Sequence, residues 1–267
     1  MWKYIILLVA LVVALVFYFF LQKQDRVPEE IPEIRFGGFE TISVRSETSG
    51  TVTCDINDAG TVNAPATIEN GDYIVVVIGS NDVAPNLSVT DFTTTQGEGA
   101  SGNDAQAAIA YKLVTDAGSE PSTYPIVCGF VTGVVYWIAS IDGIDQTTPQ
   151  DENFASNWAY RTDDTSPAAG SITTITDGAF VLAAWAVVTD TDVTMPGGSW
   201  ATEAEDVNVA ATIGLSVASQ TFAADGATGN VDVTDVGAGQ ETEAGQFAFR
   251  PAATAGGSID DTYFEML

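Results

Sequence analysis

Histidine is absent from these 267 residues, cysteine occurs twice, and lysine and arginine together number 8 against 36 aspartates and glutamates. Each shortage removes a class of chemistry. Without an imidazole there is no Ser-His-Asp or Cys-His nucleophile and no histidine-bearing zinc site. So few basic residues argue against nucleic acid as a partner, because holding a phosphate backbone depends on neutralising it with lysine and arginine. No Gly-x-x-x-x-Gly-Lys segment is present to cradle a nucleotide phosphate, and the remaining Gly-rich stretches read as β-turns. A pair of carboxylates can hydrolyse a glycoside, but a chain with 36 acids brings some pair together by chance. No residue is assigned to catalysis, to a cofactor or to a metal, and the chain is not read as an enzyme.

The acidity that remains is unevenly placed. Residues 1–45 balance, with Lys3, Lys23, Arg26, Arg35 and Arg45 against Asp25, Glu29, Glu30, Glu33 and Glu40. Beyond them only Lys112, Arg161 and Arg250 face 31 acids, so that part carries the whole net charge of −28. Such a surface favours solubility, cations or basic partners, and suits a salty habitat.

Residues 4–21, YIILLVALVVALVFYFFL, are eighteen positions with no charge, no Gly and no Pro. As an α-helix the run is about 27 Å long, close to the hydrocarbon thickness of a bilayer. Trp2, Tyr4 and Tyr18 stand near its ends, where amphipathic rings favour the headgroup level. No small-x-small cleavage site comes after it, so residues 1–21 read as a retained transmembrane anchor rather than a signal peptide. Packing against sister helices in a filament core, as in pilins, fits the same residues. Residues 22–40 form a charged stalk, stiffened by Pro28 and Pro32 and hinged at Gly37-Gly38.

From Thr41 the grammar is that of strands. The run 73–78, YIVVVI, is apolar throughout and bounded by Gly71-Asp72 and Gly79-Ser80, which predicts a strand buried on both faces. Strands are also expected at 107–114, 124–130 and 134–141, with Tyr136 and Trp137 pointing to opposite faces. A long polar loop covers 142–171. The second half then echoes the first at an offset of roughly 104–110 residues, with strands at 179–188, 211–218 and 246–250. The fold class expected is all-β: one eight-stranded, jelly-roll-like sandwich over 41–252, built from repeats at 67–145 and 174–252. Two small sandwiches side by side are the rival. A single sandwich is preferred because each half alone would expose one face of its doubly apolar strand.

Several local features invite function. Cys54 and Cys128 suit either a disulfide closing a long loop or two buried thiols. Acid pairs at turns, Asp142 with Asp145, Asp163-Asp164, Asp190 with Asp192 and Asp232 with Asp235, offer oxygens to Ca²⁺, yet none has a full calcium-loop spacing and solvated turns account for them. Trp137 and Trp185 sit in expected strands and read as core, whereas Trp158 and Trp200 lie in or beside loops and are the better candidates for stacking on a surface glycan. Asn86-Leu87-Ser88 is a glycosylation acceptor by pattern. The tail at 253–267 reads as a solvated acidic segment, or, through Tyr263, Phe264, Met266 and Leu267, as one that docks onto a neighbour.

The segments Gly71-Asp72, Gly118-Ser-Glu-Pro-Ser-Thr-Tyr124, Ile141-Asp-Gly-Ile-Asp-Gln-Thr-Thr-Pro149, Pro196-Gly-Gly-Ser-Trp200 and Phe249-Arg-Pro-Ala252 stand in an order that spans about 67–252. Their pattern resembles largely uncharacterised β-sandwich modules of phage virion and tail proteins and of prokaryotic surface proteins. The first repeat departs from it, since 85–88 carries no Trp. The resemblance implies a structural or adhesive role and brings no catalytic residue. The expectation is a membrane-anchored structural protein of a virion, as in a membrane-containing phage, or of a cell envelope. Its C-terminal bulk would lie outside, against copies of itself or other coat proteins. A glycan- or receptor-binding adhesin and a filament subunit are the alternatives.

Overall fold

The computed structural model describes residues 38–54, 59–81, 87–97, 105–128, 134–152, 154, 157–162, 164–188, 193–209, 213–234, 236–237 and 240–254. The apolar run at 4–21, most of the stalk and the tail from 255 lie outside these residues, and the expected anchor helix with them. Among the described residues no helix is long and apolar enough to cross a membrane.

The first half contributes β1 (Ser43–Val52), β2 (Ala59–Asn63), β3 (Tyr73–Ser80), β4 (Ser88–Val89), β5 (Thr93–Gln96), β6 (Gln106–Leu113), β7 (Thr123–Val127) and β8 (Val134–Asp142). They pair in nested fashion, β1 with β8, β2 with β7 and β3 with β6, as in a long antiparallel ribbon folded back on itself. The ribbon rolls into a five-stranded sheet, β1-β8-β3-β6-β5, covered on one face by the three-stranded sheet β2-β7-β4.

The second half repeats this plan with β9 (Ala159–Thr162), β10 (Ala168–Ala169), β11 (Thr173–Thr174), β12 (Ala179–Val188), β13 (Ala201–Val209), β14 (Ile213–Phe222), β15 (Gly226–Ala227), β16 (Val231–Asp232) and β17 (Glu241–Phe249). Its nested pairs are β9 with β17, β10 with β16, β11 with β15 and β12 with β14. They give the five-stranded sheet β13-β14-β12-β17-β9. The short outer pairs, with the Thr194↔Thr234 bridge, stand where β2-β7-β4 stands in the first half.

The two large sheets face each other. Alternate residues of β3 and β8 (Val75, Val77, Trp137, Ala139) meet Leu182, Ala184, Leu215, Val217, Phe247 and Phe249 in the central core. The other face of β3, with Ile74, Val76 and Ile78, packs beneath Val62, Val89 and Ile126 of the outer layer. In the second half Ala183, Trp185 and Val187 pack beneath Ala169, Val231 and Val233. All eight residues of β3 are therefore buried, as its unbroken apolar run predicts, and each large side chain so buried contributes about 1.5–3 kcal/mol. Tyr136 and Trp137 do enter opposite cores.

The expectation of eight strands in one sandwich is corrected in count and layering. Each repeat supplies its own five-stranded sheet and its own outer cover, and the repeats stack. The reason for preferring a single body survives, since the second apolar face of each sheet is buried against the other half. The stretch 142–171 is not loop throughout, because β9 and β10 lie within it.

Cys54 and Cys128 are joined in a disulfide, with Cα atoms 6.3 Å apart at a sequence separation of 74. The bridge ties the end of β1 to the end of β7, holding the outer layer to its sheet. Of the two states the sequence allows, the rolled ribbon selects the bonded one.

Candidate functional site

The place where the described chain meets its undescribed ends is built from three strands of backbone. Residues 38–40, at the end of the stalk, lie beside 252–254: Glu40 N–H donates to the Ala252 carbonyl at 2.7 Å and Thr254 N–H to the Gly38 carbonyl at 2.8 Å. The Thr254 hydroxyl donates to the same Gly38 oxygen. On the other side of 250–252 runs 143–145, with Ala252 N–H donating to Gly143 O at 2.7 Å and Asp145 N–H to Arg250 O at 2.9 Å. Arg250 N–H donates in turn to Pro149 O at 2.9 Å. Two of the segments that carry the resemblance, 141–149 and 249–252, are thus brought together, and the end of the stalk joins them.

Local chemistry explains the residue types. Gly143 has φ +83°, and a Cβ there would stand 2.7 Å from the Thr41 carbonyl oxygen, so a larger residue would force the backbone to shift. Asp145 accepts from Thr147 N–H (2.8 Å), Thr147 Oγ1 (2.7 Å) and Thr148 N–H (2.9 Å), which closes a turn. Those hydrogen bonds, the Thr147 hydroxyl foremost, hold its carboxyl below the ordinary range against partial desolvation. Asp151, 1% exposed, accepts from Ile175 N–H at 2.6 Å and lies 3.6 Å from Arg250 Nε. It pins the 175–176 turn to the ladder.

Around this ladder lies a shallow groove of about 520 Å³ with Phe39, Ile175, Pro251 and Ala253 in its lining. Asp145, Asp177 and Asp225 also line it, together with the basic side chain of Arg250. Phe39 is 47% exposed and Ile175 61%.

The other candidate residues fall elsewhere. Asp142 pairs with Arg45 at 3.1 Å, and Asp164 accepts from Ser166 N–H in a turn. Asp163, Asp190, Asp192, Asp235 and Asn86 lie outside the described residues. Among the described residues no group of three or more Cys, Asp or Glu could hold a metal ion. Trp137 and Trp185 are fully buried, as expected. Trp158 is half-buried, its ring 4.6 Å from that of Phe247 and its Nε1 3.4 Å from the Thr95 carbonyl oxygen. It fills the space left by Gly245, where a Cβ would lie 3.1 Å from the indole. Trp200, also half-buried, packs on Phe222 at 6.2 Å. Both rings serve packing.

Sequence reasoning missed two acidic arrangements. The Glu120 of Ser-Glu-Pro-x-x-Tyr is a structural centre that receives Lys112 Nζ at 2.9 Å and the Tyr124 hydroxyl at 3.0 Å. Burial and that carboxylate raise the Tyr124 phenol well above its ordinary value. At the seam between β1 and β13, the Glu47 charge acts on the Glu203 carboxyl. Glu47 also accepts from Trp137 Nε1 at 2.7 Å, and Glu203 from the Ser219 hydroxyl. Burial pushes Glu203 up, against the Ser219 hydrogen bond, and Glu47 adds to the rise.

No protein-family model matches the chain, and no curated protein matches it. Among solved structures it is similar to that titled "Crystal structure of infectious bursal disease virus VP2 subviral particle", at 9% identity and a TM-score of 0.14, over 85% of this chain and 87% of that one. A likeness at that score carries no argument.

Proposed function

We propose that this protein is a membrane-anchored structural protein of a virion or cell envelope, in which each half of the sandwich is a jelly roll. The observation that carries the reading is the join at 38–40. An uncharged run long enough to span a bilayer leads, through a charged Pro-bearing stalk, to residues 38–40, whose backbone is bridged to 252–254 of the sandwich. The nested pairing of each ribbon, 1 with 8, 2 with 7 and 3 with 6, supports the jelly-roll reading, since that fold is such a ribbon rolled up. Its role is physical: the helix fixes position, the stalk sets height, and the acidic sandwich meets neighbouring coat proteins. The glycan-binding alternative asks for free aromatic faces, and Trp158 and Trp200 are half-buried against Phe247 and Phe222.

Alkaline carbonate extraction tests the anchorage. The full chain is expected to stay with the membrane and to leave it in mild detergent as small folded species. A chain starting at residue 38 is expected in the soluble fraction. Release of the full chain by carbonate would end the anchor reading. Helical filaments that persist in detergent would replace it with the filament one.

A further inference from the structure

We infer that the groove at the stalk end of the sandwich is the docking site for the chain's own residues 255–267. The groove exposes two large apolar side chains, Phe39 and Ile175, side by side with Pro251 and Ala253. At about 520 Å³ it is within the usual size of small pockets, about 300–1,000 Å³, and takes a few side chains rather than a folded partner. The origin of the occupant is fixed by the ladder: Thr254 donates to Gly38, and its neighbour Ala253 is part of the groove lining. The chain therefore leaves the described structure from within the groove.

The residues after Thr254 have the needed composition. Ala255-Gly256-Gly257-Ser258 permits a tight reversal. Beyond it come Ile259, Tyr263, Phe264, Met266 and Leu267. A segment of 13 residues reaches at most about 43 Å, ample to turn back over a groove at its own root. Residues 22–37 are the other neighbouring segment, but they carry seven charges and two prolines in sixteen positions and suit solvent. Charge sets the manner of docking. Asp260, Asp261 and Glu265 of the segment face Asp145, Asp177 and Asp225 of the groove, so apolar side chains enter while the acids stay at the rim. The contact must then tighten as salt screens the repulsion.

The test uses the full chain in detergent, with p-benzoylphenylalanine in place of Phe264, as an equimolar mixture of ¹⁴N- and ¹⁵N-labelled protein. Photo-crosslinks read by mass spectrometry are expected within single-isotope chains, at Phe39, Ile175 or Pro251. Their yield should rise with added NaCl and fall several-fold in Ile175→Asp, which at an exposed position removes the apolar contact and adds to the repulsion. Mixed-isotope crosslinks approaching half of the total, the statistical share for pairing between copies in an equimolar mixture, would assign the groove to a neighbouring copy and overturn the inference. So would crosslinks scattered over the sandwich and indifferent to Ile175→Asp. Membrane anchorage is scored separately by carbonate extraction, so neither result decides the other.

Discussion

Glu152 makes the sandwich sensitive to pH near neutrality. It comes directly after the buried Asp151, takes a hydrogen bond from Asn157 Nδ2, and lies half-buried under the end of β17. Burial is the largest influence and pushes its carboxyl from 4.5 up to about 7; the Asn157 hydrogen bond opposes the rise and the Asp151 charge adds to it. A carboxyl whose folded value is raised costs stability as pH increases. Below about pH 4.5 it is protonated in both states and costs nothing. Between about 4.5 and 7 the unfolded chain gives up its proton first, so the folded state loses ground, and above about pH 7 the full penalty is present. At 1.36 kcal/mol per unit, discounted for partial exposure, that penalty is roughly 2–3 kcal/mol. Glu152→Gln keeps an oxygen for Asn157 and removes the titration. Guanidinium denaturation at pH 8 should find the variant more stable by about that amount, and the gain should vanish at pH 4. A variant less stable at pH 8, or a gain equal at both pH values, would refute the reasoning.

Geometry sets three further outcomes. Replacing Cys54 and Cys128 by Ser opens a loop of 74 residues' separation, and the chain-entropy relation gives a loss of roughly 4 kcal/mol, to be read as a lower denaturation midpoint without change of secondary structure. Asp72, 1% exposed, accepts from Arg45 Nε (2.9 Å), Ser140 Oγ (2.5 Å) and Glu69 N–H (2.9 Å). Burial alone would raise its carboxyl, but these partners hold it below the ordinary value. Its stabilisation is present above the unfolded carboxyl's range and is lost as pH falls through the lower folded value. Asp72→Asn should cost about 3 kcal/mol at pH 7 and flatten the acid limb of the stability curve. Gly143→Ala should cost about 1–3 kcal/mol, through its positive φ and the Thr41 carbonyl, and should speed hydrogen exchange at Ala252, whose N–H bonds to Gly143 O.

What could be read in the sequence was set by periodicity. The runs at 73–78 and 179–188 are apolar on both faces, and they became β3 and β12, each at the centre of a five-stranded sheet. The offset between the halves was equally legible, because equal strands recur at nearly equal spacing. The outer cover of the second half was not, for a physical reason. Pairs such as Ala168–Ala169 with Val231–Asp232 are two residues long, too short for any alternation, and they exist because a buried sheet face needs a lid. The disulfide was illegible for a similar reason, since only the rolled ribbon places Cα atoms of residues 54 and 128 within 6.3 Å. The candidate site was half legible. Asp142 with Asp145 read as a turn, but nothing local to 141–149 or 249–252 shows that one strand of backbone hydrogen-bonds to the other.

The stacking of the halves and the join to the stalk bear on the same requirement. Each five-stranded sheet is apolar on both faces, so a half separated from its twin would present Val75, Val77, Trp137 and their neighbours to water. The halves therefore hold together as one body, and a load on that body is shared by the central core. Residues 38–40 do not enter this body through a loop; they lie along 252–254, the continuation of β17. β17 is hydrogen-bonded along its length to β12, the middle strand of its sheet. On the proposed anchorage, a pull at residue 38 would act on the two backbone hydrogen bonds to 252–254 and, through β17, on β12. A tether tied to an edge strand, or to an outer cover two residues long, would peel that element away one bond at a time. On the proposed anchorage, a tether joined to the continuation of an interior strand is held by the core instead.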